Sequence, residues 1–166
     1  MKDNLPIQFK YLIEVVKDGR VIDSEVVDNI VPTEGLNHIL NTVLKGGVQV
    51  PQWYLGVYEG NYTPVAGDTA AGFAAAATES SSYSGTTRPA YTPGAVAGGA
   101  VSNSTSVTEF TFNAQKTIYG GFMVSSNVRG GTAGVLLSAV KFASAKAMEP
   151  GAILRVTAGL TLNSVA

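Results

Sequence analysis

Ile7-Gln8-Phe9-Lys10-Tyr11-Leu12-Ile13-Glu14-Val15-Val16-Lys17-Asp18-Gly19-Arg20-Val21-Ile22 is the stretch that decides the fold. Ile7, Phe9, Tyr11, Ile13 and Val15 alternate with Gln8, Lys10 and Glu14, the period of two of a half-buried strand. Asp18-Gly19 is the dipeptide favoured in a two-residue hairpin turn, because both residues tolerate positive φ. The chain then returns from Arg20 to Ile30 through Val21, Ile22, Val26 and Val27. Residues 7–31 therefore read as a β-hairpin.

Outward from the hairpin, residues 33–45 read as an α-helix. Leu36, Ile39, Leu40, Val43 and Leu44 form one apolar stripe at helical spacing. Glu34 places a negative charge in the first turn, and Gly46-Gly47 ends the helix. Residues 48–58 return to strand, with Trp53, Leu55 and Val57 alternating with Tyr54, Gly56 and Tyr58. Residues 61–104, rich in Gly, Ala, Ser and Pro, read as long surface loops. One or two short strands are expected there, one near Thr86–Tyr91, and Ala70 to Thr78 has room for one or two helical turns.

The last third is strands again. Phe110, Phe112 and Ala114 alternate with polar neighbours, and Thr117 to Ser125 forms a further strand. Gly134 to Phe142 is nearly all apolar, which predicts a central strand. Leu154, Val156, Ala158, Leu160 and Leu162 line one face of the last one. Seven to nine strands at this spacing predict one mainly β domain over residues 1–166, an antiparallel β-sandwich, jelly-roll-like or a barrel, with one α-helix at about 33–45 that plugs an end or covers a sheet edge.

Composition narrows the function. Charged residues are 14 % of the 166, below the quarter or so of an ordinary domain, and 19 glycines suit turn-rich β architecture and large protein–protein contacts. The net charge is −1 with scattered Lys and Arg, so no basic stripe is available for nucleic acid. There is no cysteine, which fits synthesis in a reducing cytoplasm. The first residues lack a signal-peptide pattern, and no apolar run approaches the roughly 18 residues that cross a bilayer.

The chemistry-bearing residues form no recognised constellation. His38, beside Asn37 and Asn41, is the one histidine and has no Ser in a G-x-S-x-G elbow to serve. It is expected half-buried at the margin of the helical stripe. Glu59, Asp68, Glu79 and Glu109 are the mid-chain carboxylates from which a glycosidase pair would have to come. Their spacing brings no two together, and each reads as solvated surface. Gly67-Asp68-Thr69 is too little for a calcium loop. Gly98-Gly99 and Arg129-Gly130-Gly131 lack the phosphate-loop pattern and read as turns. No catalytic, metal or cofactor residue is assigned, and the chain reads as non-enzymatic. Trp53, Tyr54, Tyr58 and Tyr62 would make a glycan-stacking platform if exposed. The favoured reading instead packs Trp53 in the core with the tyrosines on the opposite face or at an interface.

Several stretches carry a likeness as a set. They are Thr33-Glu34-Gly35-Leu36-Asn37-His38-Ile39-Leu40, Lys45-Gly46-Gly47-Val48-Gln49-Val50, Trp53-Tyr54-Leu55-Gly56, Asn61-Tyr62-Thr63-Pro64-Val65-Ala66-Gly67-Asp68-Thr69, Thr87-Arg88-Pro89-Ala90-Tyr91 and Gly151 to Leu162. In order and spacing, from about Leu5 to the end, they resemble a family of small virion structural proteins of tailed bacteriophages, especially short-tailed ones. The resemblance implies a virion component made in the bacterial host cytoplasm, with no catalytic residues to carry over. A decorating or cementing role on the capsid surface is the expectation. Its partners would be the major capsid protein and copies of the chain itself in a trimer or other closed ring, with Met1 to Asn4 reaching a neighbour. The competing expectations are a tail, neck or fibre component with a host-glycan face, and a hydrolase using loop carboxylates.

Overall fold

The computed structural model describes residues 7–163. The arm expected at Met1 to Asn4 lies outside them. Strand β1 (Ile7–Lys17) turns through Asp18 and Gly19 into β2 (Arg20–Asp28), with Lys17 opposite Arg20. Both turn residues adopt positive φ, 49° and 73°, as the dipeptide requires. The return strand ends two residues early because Ile30 leaves its sheet. Its backbone exchanges hydrogen bonds with Ala139 of the other sheet, at 2.9 and 3.0 Å.

Helix α1 (Thr33–Leu44) follows, then β3 (Trp53–Tyr58), α2 (Ala70–Ala76), β4 (Ala90–Tyr91), β5 (Ala100–Ser102), β6 (Thr108–Thr111), β7 (Lys116–Val124), β8 (Leu136–Met148) and β9 (Ile153–Leu162). Every strand pairing is antiparallel. The larger sheet runs β2-β1-β9 with β5 and β6 sharing the far edge of β9, and the smaller runs β4-β3-β7-β8. Their facing sides bury Phe9, Tyr11, Ile13, Leu154 and Val156 against Leu55, Val57, Met123, Val140 and Phe142. The fold is mainly β, a two-sheet arrangement of sandwich type, and the barrel alternative falls because neither sheet closes on itself.

Two expectations are corrected. The first concerns the count of one α-helix: the helical turns for which Ala70 to Thr78 has room form a second, α2, which gives the smaller sheet a second core on its outer side. Phe73 packs there on Tyr58, Tyr62 and Phe122. The sheet makes room with glycines. Tyr58 lies over Gly120, its partner across β7, where a Cβ would stand 2.1 Å from the Tyr58 hydroxyl. Phe122 lies likewise over Gly56, where a Cβ would meet the ring at 2.3 Å.

The second concerns β8, which is an edge strand and not a central one. Its apolar run is buried because other elements shield it. Ile30 pairs with its backbone, and α1 crosses it so closely that a Cβ on Gly35 would lie 2.6 Å from the Leu137 carbonyl oxygen. Farther along, Lys146 is buried and reaches Asp23 at 2.9 Å and Glu25 at 3.3 Å on the inner side of β2. Charges turned inward at a sheet border discourage edge-to-edge association.

Candidate assembly surface

Each residue that offered chemistry is engaged in holding the fold. His38 is half-buried, stacks edge-on against Trp53 with ring centroids 5.5 Å apart, and lies 3.4 Å from the Thr42 hydroxyl. Glu59 accepts from Ser80 at 2.6 Å and from Lys116 at 2.9 Å. Asp68 accepts from the Tyr62 hydroxyl at 2.6 Å and from the Val65 amide at 2.8 Å. The hydrogen bond to that carboxylate holds the Tyr62 hydroxyl above its ordinary pKa. Glu109 is exposed, as its strand position predicted, and binds Arg155 at 2.7 Å.

Glu79, expected at the surface, is buried instead. Its carboxylate takes two 2.7 Å hydrogen bonds from the Arg88 guanidinium and a third from the Gly130 amide. Arg88 also donates to the Ser126 carbonyl at 2.9 Å and stands over the Phe122 ring. Arg129 lies 3.8 Å above the Tyr83 ring centre and donates to the carbonyls of Ser81, Tyr83, Ser84 and Thr87. Two arginines thus lock residues 79–88 to residues 126–130. Sequence reading missed Arg88. An Arg–Pro pair in a stretch of Ser, Thr and Gly carries no periodicity to betray burial.

The aromatic cluster is turned inward. Trp53 packs against the main core, and Tyr58 is fully buried with its hydroxyl donating to the Val140 carbonyl at 2.8 Å. Burial pushes the Tyr58 hydroxyl well above its ordinary pKa. Tyr58 is buried and Tyr62 packs edge-on against Phe73, so neither presents the open stacking face a glycan platform needs, while Tyr54 is half-buried. Among the described residues, no three His, Asp or Glu side chains gather as a metal site. No helix among the described residues is long and apolar enough to cross a membrane.

No protein-family model and no curated protein matches this chain.

What the surface offers is apolar area and a cleft. Strand β2 exposes Val21, Ile22 and Val26. Helix α1 seats Gly35 and Ile39 inward across the sandwich end, near Leu137 and Leu160. Leu40, Val43 and Leu44, read from the sequence as part of the same inward stripe, face solvent. A cleft of about 340 Å³ opens where β1 and β2 part, walled by Phe9, Val31 and Leu36. Both polar atoms of the Asn29 side chain are buried at this cleft, without a hydrogen-bond partner among the described residues.

Proposed function

We propose that this chain is a non-enzymatic structural protein of a tailed-bacteriophage virion, decorating or cementing the capsid surface through protein–protein contacts. The reading rests on the family resemblance carried by stretches such as Thr33 to Leu40, Trp53 to Gly56 and Asn61 to Thr69. One structural observation supports it most. The carboxylates, histidine and aromatic rings that catalysis or glycan stacking would need are occupied with internal contacts, while apolar side chains on α1 and β2 stand outward. A protein repeated over many equivalent capsid positions gains avidity from modest contacts of that kind. Its partners are then the major capsid protein and further copies of itself. Quantitative mass spectrometry of purified virions tests the placement. A copy number matching the capsid's many equivalent positions is expected. About a dozen copies or fewer would assign the chain to the tail, neck or fibre instead.

A further inference from the structure

We propose that Lys146 and Asp23 condense into a side-chain amide that ties β8 to β2, with Glu25 carrying the protons. The Lys146 side chain is 1 % exposed, and its amine touches the Asp23 carboxylate at 2.9 Å and the Glu25 carboxylate at 3.3 Å. A further hydrogen bond, at 3.0 Å, goes to the Ser144 hydroxyl. Among the described residues, no other cation touches two carboxylates.

An ion pair alone would account for Asp23, whose carboxyl the Lys146 hydrogen bond holds below the usual carboxylate range. It does not account for Glu25. The Glu25 Oε1 is buried and has no hydrogen-bond partner among the described residues. That is costly for a charged carboxylate and suits an acid that holds a proton in passing.

The walls of the cluster are apolar. Glu25 and Asp23 stand beside Ile13 and Val15 of β1, and Lys146 beside Ile118 of β7, all three buried. Asp23 is half-exposed at the mouth, which gives a released water its way out. The strands are also irregular at both reacting residues. β2 carries an extra residue, Ile22, next to Asp23, where β1 passes from Val15 to Val16. β8 sets Phe142 to Ala145 against Tyr119 alone, just before Lys146. Bulges of this kind re-aim side chains.

The reaction starts from the ion pair. Lys146 gives one ammonium proton to Glu25, and the neutral Nζ attacks the Asp23 Cγ. Glu25 passes that proton to an Asp23 oxygen. It then takes a second proton from the attacking nitrogen and delivers it to the same oxygen, which leaves as water. One C–N bond forms, one C–O bond breaks, nothing is oxidised or reduced, and Glu25 ends as it began. Holding the two groups in contact supplies an effective molarity on the order of 10⁵ M or more, which offsets the unfavourable balance of amide formation in water.

Intact-mass spectrometry of the purified full chain, kept folded at neutral pH for several days, tests this. A species lighter by one water is expected. Tryptic digestion should then yield residues 21–45 joined to residues 142–155, because an acylated Lys146 is no longer cleaved. The location matters, since Asp18-Gly19 can also lose water by closing to a succinimide. Lys146→Arg, which keeps a cation in place, should retain its full mass and a native circular dichroism spectrum. Glu25→Gln should slow bond formation at least about 100-fold. A wild-type chain that keeps its full mass throughout overturns the inference, as does water loss mapped to any other residues. A Glu25→Gln chain that reacts at the wild-type rate overturns the part given to Glu25. The inference stands or falls independently of the virion reading.

Discussion

Arg88 and Glu79 form an ion pair almost closed to water, with side chains only 1 and 3 % exposed. Desolvating two charges is costly, and the cost is met here by full hydrogen bonding. Two bonds join the pair, Gly130 adds a third to the carboxylate, and Ser126 takes another from the guanidinium. Such a pair contributes little relative to an apolar replacement, but removing one partner strands the other. Arg88→Ala is therefore expected to cost about 3–5 kcal/mol. A chain of this size would lose on the order of 10 °C in Tm. Arg88→Met paired with Glu79→Leu should recover most of that loss, and differential scanning fluorimetry of Arg88→Met, Glu79→Leu and the double variant decides it. A fully additive double variant would mean that the two residues act separately. This pair was illegible in the sequence for a physical reason. Its partners are nine and about forty residues away on loops, where neither hydrophobic period nor turn chemistry marks which charges are buried.

At the scale of elements, legibility followed periodicity. The hairpin over β1 and β2, the end of α1 at Gly46, and the alternation in β3 and β9 each rest on a local rule that the fold obeys. Where neighbours from afar decide the environment, the pattern misled. The apolar run of β8 reads as a central strand, but Ile30, α1 and Lys146 bury an edge strand. The five-residue stripe of α1 reads as one buried face, but only Leu36 and Ile39 of it turn toward the sandwich, Leu36 at the cleft and Ile39 against the core beside the buried Gly35. Glu34 shows the same thing in a single residue. Its position suits the helix dipole, yet its carboxylate oxygen accepts from the amide of Ala70, where α2 begins, at 2.8 Å and from that of Leu136, where β8 begins, at 2.6 Å. One side chain joins three elements. Glu34→Ala leaves two amide donors without an acceptor and should cost about 2 kcal/mol. Amide hydrogen exchange should quicken at Ala70 and Leu136, with the β1–β2 hairpin unchanged. Uniform quickening across the chain would instead mark Glu34 as a general contributor to stability.

The molecule as a whole buries tyrosine in an unusual share, and that sets its response to alkali. Of seven tyrosines, Tyr11, Tyr58, Tyr83 and Tyr91 are buried. Burial holds all four hydroxyls above the ordinary value of 10.0, with Tyr83 and Tyr91 pushed up to about 12 and Tyr11 and Tyr58 farther. In the unfolded chain these hydroxyls lose their protons near pH 10, before the folded ones do. Proton loss therefore favours the unfolded chain. The stability held by the neutral hydroxyls is fully present below about pH 10 and declines as the pH rises toward 12 and beyond. Tyr83 and Tyr91 contribute up to about 2 kcal/mol each to that decline. The Tm should hardly change on this account up to about pH 9.5 and then fall steeply. Tyrosinate absorbance from the four should rise together with unfolding, not ahead of it. Tyr83 separates this effect from general charge repulsion, because its buried hydroxyl has no hydrogen-bond partner among the described residues. Tyr83→Phe discards an unmet polar group while keeping the ring under Arg129, so it should be neutral or stabilising by up to about 1 kcal/mol at pH 7. It should also flatten the alkaline decline. Tyrosinate absorbance growing while near-ultraviolet circular dichroism stays native would show these hydroxyls open to solvent and refute the account.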